Sequence, residues 1–363
     1  MSERQYWVGF NYVRGVGPAG VRLLLQHFGS LREAWHAPRE ALLNAGLGRR
    51  ACDNLLQLRQ RLDLEAELAR LDRLGVAVLT WDDAEYPVLL AQLRAIDHAP
   101  PVLYLRGTLT ETDEWALAVV GTRAVTPYGR QVVHQLVTEL AANGLTIVSG
   151  LARGLDSDAH RAALEVGGRT IAVLPCGLDM IYPPEHRQLA AEIIRHGALV
   201  TIFPPGTQPL RVNFSPRNRV ISGLARGVLV VEAGEKSGAL ITASHALEQG
   251  REVFAVPGNI TAQGSTGTNR LIQDGAHPVI SAQDVLSVLN LERVAEYTSA
   301  RRVLAPMSDV EQQVLEGLSA EPLHVDELTR RIGLTVAAVS SALATLELKG
   351  MVRQVGPMTY VRA

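Results

Sequence analysis

The chain has 363 residues, too many for one compact core of ordinary size, so two or three domains are expected. A net charge of −2 argues against a basic protein that coats nucleic acid with its whole surface, and any anion site is expected to be a local patch. The sequence has no apolar run of the roughly 18 to 20 residues that a membrane span requires, and its start, MSERQYW, lacks the pattern of a signal peptide, so secretion is not expected. Its two cysteines, Cys52 and Cys176, indicate neither disulfides nor a zinc site, so a soluble protein of the reducing cytoplasm is expected.

The first 75 residues show helix-length apolar periodicity, as in AGVRLLLQHFGSLREAW, and predict a helical N-terminal domain over 1–75. Within it, GVGPAG (Gly15 to Gly20) matches the G-x-G-x-x-G pattern of dinucleotide-binding turns. No strand precedes this stretch and only helix follows, which excludes that interpretation. Two alternatives stay open with equal weight: a helix-hairpin-helix or SAM-like turn whose backbone N–H groups bind a DNA phosphate, or a plain turn between helices.

The next region, 76–290, changes from helical periodicity to short apolar runs. VAVLTWDDAEYPVLL and PPVLYLRG predict a short connector that contains strands. From Leu117 onward the runs are LAVVG, LTIVSG, TIAVLP, ALVTIF, GVLVVEA and EVFAVPG, with room for one helix between consecutive runs. Runs that are apolar on both faces are typical of parallel strands covered by helices on two sides. The predicted fold class is therefore a doubly wound α/β sheet, in which ligands bind at the carboxyl ends of the strands.

The last part of the chain predicts a linker over 291–305 and a winged-helix domain over 306–363. DVEQQVLEGL, HVDELTRRIG and VAAVSSALATLELKG predict three helices, and MVRQVGPMTYVRA predicts a two-stranded wing. The candidate recognition helix has one Lys and no Arg, whereas base readout relies on Arg, Lys, Asn and Gln. A protein contact or a weak double-stranded DNA contact is therefore favoured for this domain.

Two motifs suggest chemistry that their surroundings do not support. Lys236 and Ser237 in VVEAGEKSG resemble the end of a P-loop, but the required glycines are replaced, so ATP hydrolysis is rejected and Lys236 is kept as a candidate phosphate contact. Asp156, Asp158 and His160 have a spacing that suggests a metal site. Because Asp156 stands where a helix begins, a capping role is favoured over metal binding. No metal and no cofactor are expected.

Three turns that carry Gly and Arg follow predicted strands, and the stretch from Ile193 to Val231 contains arginines but no carboxylate. The third turn, SPRNR, predicts a helix with Ser215 as N-cap and Pro216 as its first residue. Cations at a helix start are unfavourable until an anion binds, and arginine holds phosphate through two parallel hydrogen bonds. The alternative is that carboxylates from elsewhere pair with these arginines. The candidates are Gly121, Thr122 and Arg123 in the first turn, Gly150 and Arg153 in the second, and Arg217 and Arg219 in the third.

An aromatic residue accompanies the third turn. Arg211 and Phe214 lie three residues apart, just before the arginine cluster. A basic groove with an aromatic ring suits a single nucleic-acid strand, because the phosphates take the charge and an unstacked base takes the ring. Phe214 in the core is the alternative, and since aromatic residues make up only 5% of the chain, stacking is favoured.

At least 80–290 resembles the DNA-processing protein family DprA, also called Smf. The motifs that carry the resemblance are, in order, VVGTRAVTPYG, TIVSGLARGLDSDAH, AVLPCGLDMIYPPEH, FSPRNRVISGLARGVLVVEAGEKSGALITASHALEQGREVFAVPGN and GSTGTNRLIQDGA. The resemblance implies an extended Rossmann-like fold in a cytoplasmic bacterial protein without catalytic activity. It further implies homodimerisation through that fold, binding of single-stranded DNA during natural transformation, and loading of RecA onto that DNA. The DNA-binding residues it implies are Gly121, Thr122, Arg123, Gly150, Arg153, Arg211, Phe214, Arg217, Asn218, Arg219 and Lys236.

The chain departs from the family pattern beside this implied pocket. Thr122 stands where Ser is usual, which keeps the hydroxyl group. Ser215 and Pro216 shift the usual Phe-Pro order, and Pro184 replaces an expected basic residue. The stretch 201–204 reads Thr-Ile-Phe-Pro where the family often has Ser-Glu-Tyr-Pro, so one carboxylate is missing.

The main alternative function is an enzyme of the lysine-decarboxylase-like phosphoribohydrolase type, which uses a similar sheet to bind nucleotides. That class needs a Pro-Gly-Gly-x-Gly-Thr turn with a Glu shortly after it. The corresponding stretch here, VEAGEKSGALIT, lacks the paired glycines and offers only Glu232 as a carboxylate. A DNA-binding protein is therefore favoured over this enzyme.

Overall fold

The computed structural model describes residues 3–291, 308–319, 323–348, 352–356 and 358–362. The chain divides into two compact units, Met1–Leu289 and Asn290–Ala363. The predicted linker, 291–305, lies outside the described residues except for Leu291.

The first unit is built on a sheet in which nine strands of the described chain take part, in the order β1-β2-β6-β5-β4-β3-β7-β8-β9. All neighbouring strands from β6 to β9 in this order are parallel, whereas β2 pairs antiparallel with β1 and with β6. The strands are β1 (Ala77–Thr80), β2 (Val102–Gly107), β3 (Ala116–Val120), β4 (Thr146–Ser149), β5 (Thr170–Val173), β6 (Gly197–Thr201), β7 (Gly227–Val230), β8 (Glu252–Ala255) and β9 (His277–Pro278). The six apolar runs of the sequence are therefore the parallel strands, as predicted.

Helices cover both faces of this sheet, because strands that are apolar on both sides must be shielded from water on both faces. They are α7 (Val88–Ala91), α8 (Pro127–Ala142), α9 (Leu155–Glu165), α10 (Arg187–His196), α11 (Phe214–Gly223), α12 (Gly238–Glu248), α13 (Thr266–Gln273) and α14 (Ala282–Val288). The chain winds from β3 outward to β6 and then returns to β7 on the other side of β3. This reversal between β3 and β7 is the switch point at which doubly wound sheets bind ligands.

The N-terminal segment is helical, as predicted, with α1 (Arg4–Asn11), α2 (Pro18–Phe28), α3 (Leu31–His36), α4 (Arg39–Asn44), α5 (Arg49–Arg59) and α6 (Leu64–Arg73). It does not have a core separate from the sheet. Trp7 and Phe10 belong to the same buried cluster as Leu174 and Leu199, and the hydroxyl of Tyr104 on β2 donates to Asn11 at 3.0 Å. The predicted connector also differs, since β1 and β2 extend the main sheet instead of linking two domains.

The GVGPAG stretch forms the turn between α1 and α2. Gly15 has a positive φ of 94°, which favours glycine, and Gly17 is the N-cap of α2 with Pro18 as the first helical residue. The absence of a strand before this turn within the described residues agrees with the rejection of a dinucleotide fingerprint. Both remaining alternatives for the turn stay open.

The second unit is a winged helix. Its described helices are α15 (Asp309–Glu316), α16 (Val325–Ile332) and α17 (Val336–Leu348), and β10 (Leu323–His324), β11 (Val352–Gly356) and β12 (Thr359–Arg362) form a small antiparallel sheet in the order β10-β12-β11. Val314, Leu328, Val339 and Leu343 pack in a core of their own. The predicted three helices and wing are confirmed, with β10 as an additional short strand.

Candidate nucleic-acid interface

A groove of about 1000 Å³ lies at the carboxyl ends of β3 and β7, at the switch point of the sheet. It is open to solvent along its length and combines charged, polar and apolar side chains. Its lining includes Gly121, Thr122, Arg123, Asp156, Tyr182, Arg211, Phe214, Ser215, Arg217, Asn218, Gly234, Glu235, Lys236, Ile241 and Thr242. Eight of the eleven sequence candidates therefore meet in one place, and we call this region the groove.

The turn after β3 is held rigidly at the floor of the groove. The backbone N–H of Thr122 donates to the carbonyl of Glu232 at 2.8 Å, and the Thr122 carbonyl accepts from Leu155 at 3.2 Å. Gly121 is needed here because a Cβ atom would lie 2.6 Å from the Leu155 side chain and 2.9 Å from the Glu232 carbonyl oxygen. The fixed turn leaves the next side chain, Arg123, exposed to solvent over the groove.

Phe214 stands at the groove wall, half-buried, and not in the core. Two guanidinium groups contact its ring, Arg123 at 5.4 Å and Arg217 at 5.5 Å from the ring centroid. Tyr182 meets the ring edge-on at a centroid distance of 6.2 Å. An aromatic ring that is partly open to a basic groove can take up a base face. Tyr182 is not among the predicted site residues, although its position after β5 in the IYPP stretch places it at the same edge of the sheet.

Arg217 is buried and is bonded inside the protein, contrary to the prediction of a DNA contact. Its guanidinium donates to the carbonyl oxygens of Gly150 and of Val173, the latter at 2.9 Å. Burial lowers the pKa of Arg217 to about 10, and the nearby Asp156 carboxylate opposes this effect. Arg217 therefore joins the ends of β4 and β5 beneath Phe214, and it supports the groove from below.

Arg219 does not belong to the groove, again contrary to the prediction. It lines a separate cavity of about 240 Å³, together with Trp7, Phe10 and Gly17 of the N-terminal helices. Residues two positions apart on a helix point to nearly opposite sides, so Arg217 and Arg219 cannot share a site. The turn between α1 and α2 thus faces Arg219 and lies outside the groove.

The second predicted turn forms a smaller hollow beside the groove. Gly150, Arg153, Tyr182 and Phe214 line it. Arg153 makes a surface ion pair with Glu185 at 2.5 Å, and this ion pair raises the pKa of Arg153 and lowers that of Glu185. For Arg153, then, the alternative of a carboxylate partner is correct, although the pair is exposed and such pairs contribute little to stability.

Three cations of the groove lack an acidic partner within the part of the chain that the structure describes: Arg123, Arg211 and Lys236. All three are exposed. Of the two carboxylates in the lining, Glu235 is exposed beside Lys236, and buried Asp156 accepts hydrogen bonds from the backbone N–H groups of Gly150 (3.2 Å) and Ala152 (3.4 Å). The groove is therefore basic at its mouth, where an anion would enter.

The helix start at SPRNR is two residues earlier than predicted. α11 begins at Phe214, its N-cap is Asn213, and Ser215 makes no capping bond. Ser215 instead contacts His245 Nε2 at 3.2 Å through its hydroxyl. Asn218 lines the groove, but it is almost fully buried, and its side-chain amide contacts the carbonyl of Gly238 at 3.5 Å.

The three side chains that suggested a metal site have different partners. Asp156 is the second residue of α9 and not its cap, which is Gly154, so the predicted capping position is wrong by two residues. Asp158 lies 4.0 Å from Arg130, and His160 Nδ1 contacts the hydroxyl of Thr170 at 2.7 Å. Within the described residues, no group of three or more His, Cys, Asp or Glu side chains is placed to hold a metal ion.

Glu232, the carboxylate on which the enzyme alternative depends, has a structural role. It is buried, and its carboxylate accepts two hydrogen bonds of 3.1 Å from the backbone N–H and the hydroxyl of Thr126, the N-cap of α8. Gly129 and Gly264 pack directly against it, since a Cβ atom at either position would overlap the carboxylate. Glu232 thus secures the start of α8, and its side chain does not line the groove.

The fold and the groove define a Rossmann-like protein with an open, basic and partly aromatic ligand site, followed by a winged helix. The family model of DNA recombination-mediator protein A matches residues 77–290, and that of the DprA winged helix domain matches residues 298–356. The chain therefore belongs to the DprA family. No helix in the described part of the chain is both long enough and apolar enough to span a bilayer.

Individual relatives resemble the chain over most of its length. The protein Smf of Synechocystis sp. strain PCC 6803 is 36% identical, over 99% of both chains. DNA processing protein A of Streptococcus pneumoniae has a solved structure with a TM-score of 0.68 and 34% identity, over 78% of this chain and 97% of that one. The Helicobacter pylori protein, for which a single-stranded DNA binding mode is described, gives a TM-score of 0.52 and 31% identity, over 60% of this chain and 96% of that one.

Proposed function

We propose that this chain binds single-stranded DNA in the groove. The observation that carries the proposal is the set of exposed cations without acidic partners, Arg123, Arg211 and Lys236, around the ring of Phe214. Phosphates would take the place of the missing carboxylates, and one base face would pack on the ring. The single-stranded DNA binding mode described for the Helicobacter pylori relative supports this choice of ligand.

Single strands should be preferred to duplexes for a geometrical reason. The rings of Phe214 and Tyr182 are half-buried, and both line the groove and the smaller hollow beside it. Only a base that has left its stack can reach them, and unstacking a duplex costs free energy that a single strand does not lose. Phosphate contacts by Arg123, Arg211 and Lys236 carry no base preference, so the affinity should depend little on sequence.

In the cell, we propose that the bound strand is handed to a RecA-type recombinase in the cytoplasm, with natural transformation as the setting. Membership of the DprA family supports this role, as do the motifs from VVGTRAVTPYG to GSTGTNRLIQDGA. We further propose that the protein acts without catalysis, as a homodimer formed through its Rossmann-like domain. The hydrogen bonds that engage Glu232 favour a binding function over nucleotide hydrolysis.

The winged helix is proposed to make a protein contact or a weak double-stranded DNA contact. Its third helix, α17, carries no arginine or lysine among the residues Val336–Leu348. Phosphate neutralisation supplies most of the non-specific affinity for DNA, so a helix without cations adds little of it.

The test is a titration of matched single- and double-stranded oligonucleotides at several salt concentrations. Single strands should bind more tightly, and Arg123→Ala should weaken binding and lower the log–log salt slope by about 0.7, the value for one lost phosphate contact. Arg130→Ala is the matched control, because Arg130 is exposed nearby on α8 but does not line the groove. An equal loss of DNA affinity in both variants would contradict the proposal. So would an enzymatic activity that releases free base from a nucleoside monophosphate and that is abolished in Glu232→Gln.

A further inference from the structure

A second basic surface adjoins the groove and is not part of it. This region, the side hollow, has a volume of about 500 Å³ and shares Tyr182 and Pro209 with the groove. It carries two arginines, Arg106 from β2 and Arg187 from the start of α10. Neither was selected from the sequence, because they lie far apart along the chain and outside the three Gly-and-Arg turns.

The arginines of the side hollow are not neutralised by the protein. Neither Arg106 nor Arg187 has a carboxylate within ion-pair distance in the described ranges, and Arg187 is exposed. The carboxylate of Asp179 also lines the hollow, but it accepts hydrogen bonds of 2.9 Å from the backbone N–H of Gly206 and lies 3.6 Å from Arg70. The side hollow therefore keeps an excess of positive charge, as the groove does.

The segment that follows the shared Pro209 carries exposed apolar side chains. Leu210 and Val212, which follow the shared Pro209, are 59% and 72% exposed. Large apolar side chains at this exposure on both sides of Arg211 offer surface for base faces, while the guanidinium can reach a phosphate. Exposed apolar side chains therefore accompany the cations of the two regions, the pattern expected along the path of a single strand.

We propose that the side hollow is a second subsite for the same single strand, which leaves the groove past Tyr182 and Pro209 and places backbone phosphates on Arg106 and Arg187. This inference rests on the proposed function. It predicts that only oligonucleotides long enough to pass Tyr182 use both regions. Short oligonucleotides occupy the groove alone.

The test measures binding of oligothymidylates from about 4 to about 20 nucleotides, a range that brackets the site sizes of single-strand grooves. In the double variant Arg106→Gln/Arg187→Gln, affinity for the shortest oligonucleotides should be unchanged. For the longest ones the log–log salt slope should fall by about 1.4, the value for two lost phosphate contacts. The advantage in affinity of the wild type over the variant should therefore shrink about 25-fold when the salt concentration rises from about 0.1 to about 1 M.

The matched control is Arg161→Gln/Arg195→Gln, which removes the same charge. Both arginines are exposed, Arg195 lies on the same helix as Arg187, and neither lines the groove or the side hollow. A double variant of Arg106 and Arg187 that binds long strands with the wild-type salt slope would overturn the inference, as would equal losses in the control. Failure of the proposed function would look different, because wild-type protein would then bind no oligonucleotide or would be insensitive to Arg123→Ala.

Discussion

The structure separates two arginines that the sequence places in the same role, and the substitution Arg217→Met tests that separation. Arg217 is 4% exposed and donates to the carbonyl oxygens of Gly150 and Val173. Methionine keeps much of the volume but leaves both carbonyls without this donor, and the buried Asp156 loses the positive charge that lowers its pKa most. Removal of one partner from a buried charged group typically costs about 3 to 5 kcal/mol of unfolding free energy.

A loss of this size is measurable. It corresponds to a decrease in melting temperature of about 6 to 20 °C for a domain of roughly this length. Urea unfolding followed by tryptophan fluorescence would give the same loss as a lower midpoint with an unchanged slope, because the surface exposed on unfolding stays the same. Arg123→Met is the matched control, since Arg123 is exposed and such substitutions usually change stability by less than about 0.5 kcal/mol.

The two substitutions should therefore affect different properties, one the DNA affinity and the other the stability. Arg123→Met should keep its stability and lose affinity for single-stranded DNA, whereas Arg217→Met should lose stability. If Arg217→Met had the melting temperature of the wild-type protein and lost as much DNA affinity as Arg123→Met, the assignment of Arg217 as a support of the groove would be wrong.

Three further predictions concern the base platform, an acid-sensitive histidine and the winged helix. Phe214→Leu should weaken oligonucleotide binding by about 1 to 3 kcal/mol with no change in salt slope, because a stacked base and not a phosphate is lost; a changed slope would argue against stacking. Burial lowers the pKa of His160 to about 3, so the unfolded chain takes up this proton first as pH falls. The free energy of unfolding should decrease by up to about 1.4 kcal/mol per pH unit from about pH 6.5 towards pH 3. In His160→Asn, the unfolding free energy measured at equilibrium should fall less steeply with pH over the same range. Deletion of 306–363 should leave affinity for single strands within a few-fold in the same titration, and complete loss would contradict a minor role for the winged helix.

Local sequence determined much of the fold. Six runs that are apolar on both faces can be buried only between two layers of helices, which predicts the parallel strands β3 to β8 and the doubly wound sheet. The segments β1 and β2 were harder to place, since a strand pattern does not say which neighbour it pairs with. That pairing depends on contacts such as the one between Tyr104 and Asn11, which join residues distant in sequence.

The groove was predicted in part for the same reason. Gly121, Thr122 and Arg123 directly follow a strand, so the sheet itself brings them to its carboxyl edge. On α11 the spacing of Arg217 and Arg219 already implies an angle of about 200° between them, and both could not face one ligand.

What the sequence alone determined, then, is the class of fold, the family and the edge of the sheet where cations gather, because these follow from local patterns. Only the tertiary structure decided which cations are free. Arg217 is bonded to carbonyls at the ends of β4 and β5, Arg153 is paired with Glu185, and Arg106 lines the same hollow as Arg187. Each of these outcomes depends on a partner from a distant segment, and no local pattern records which segments meet.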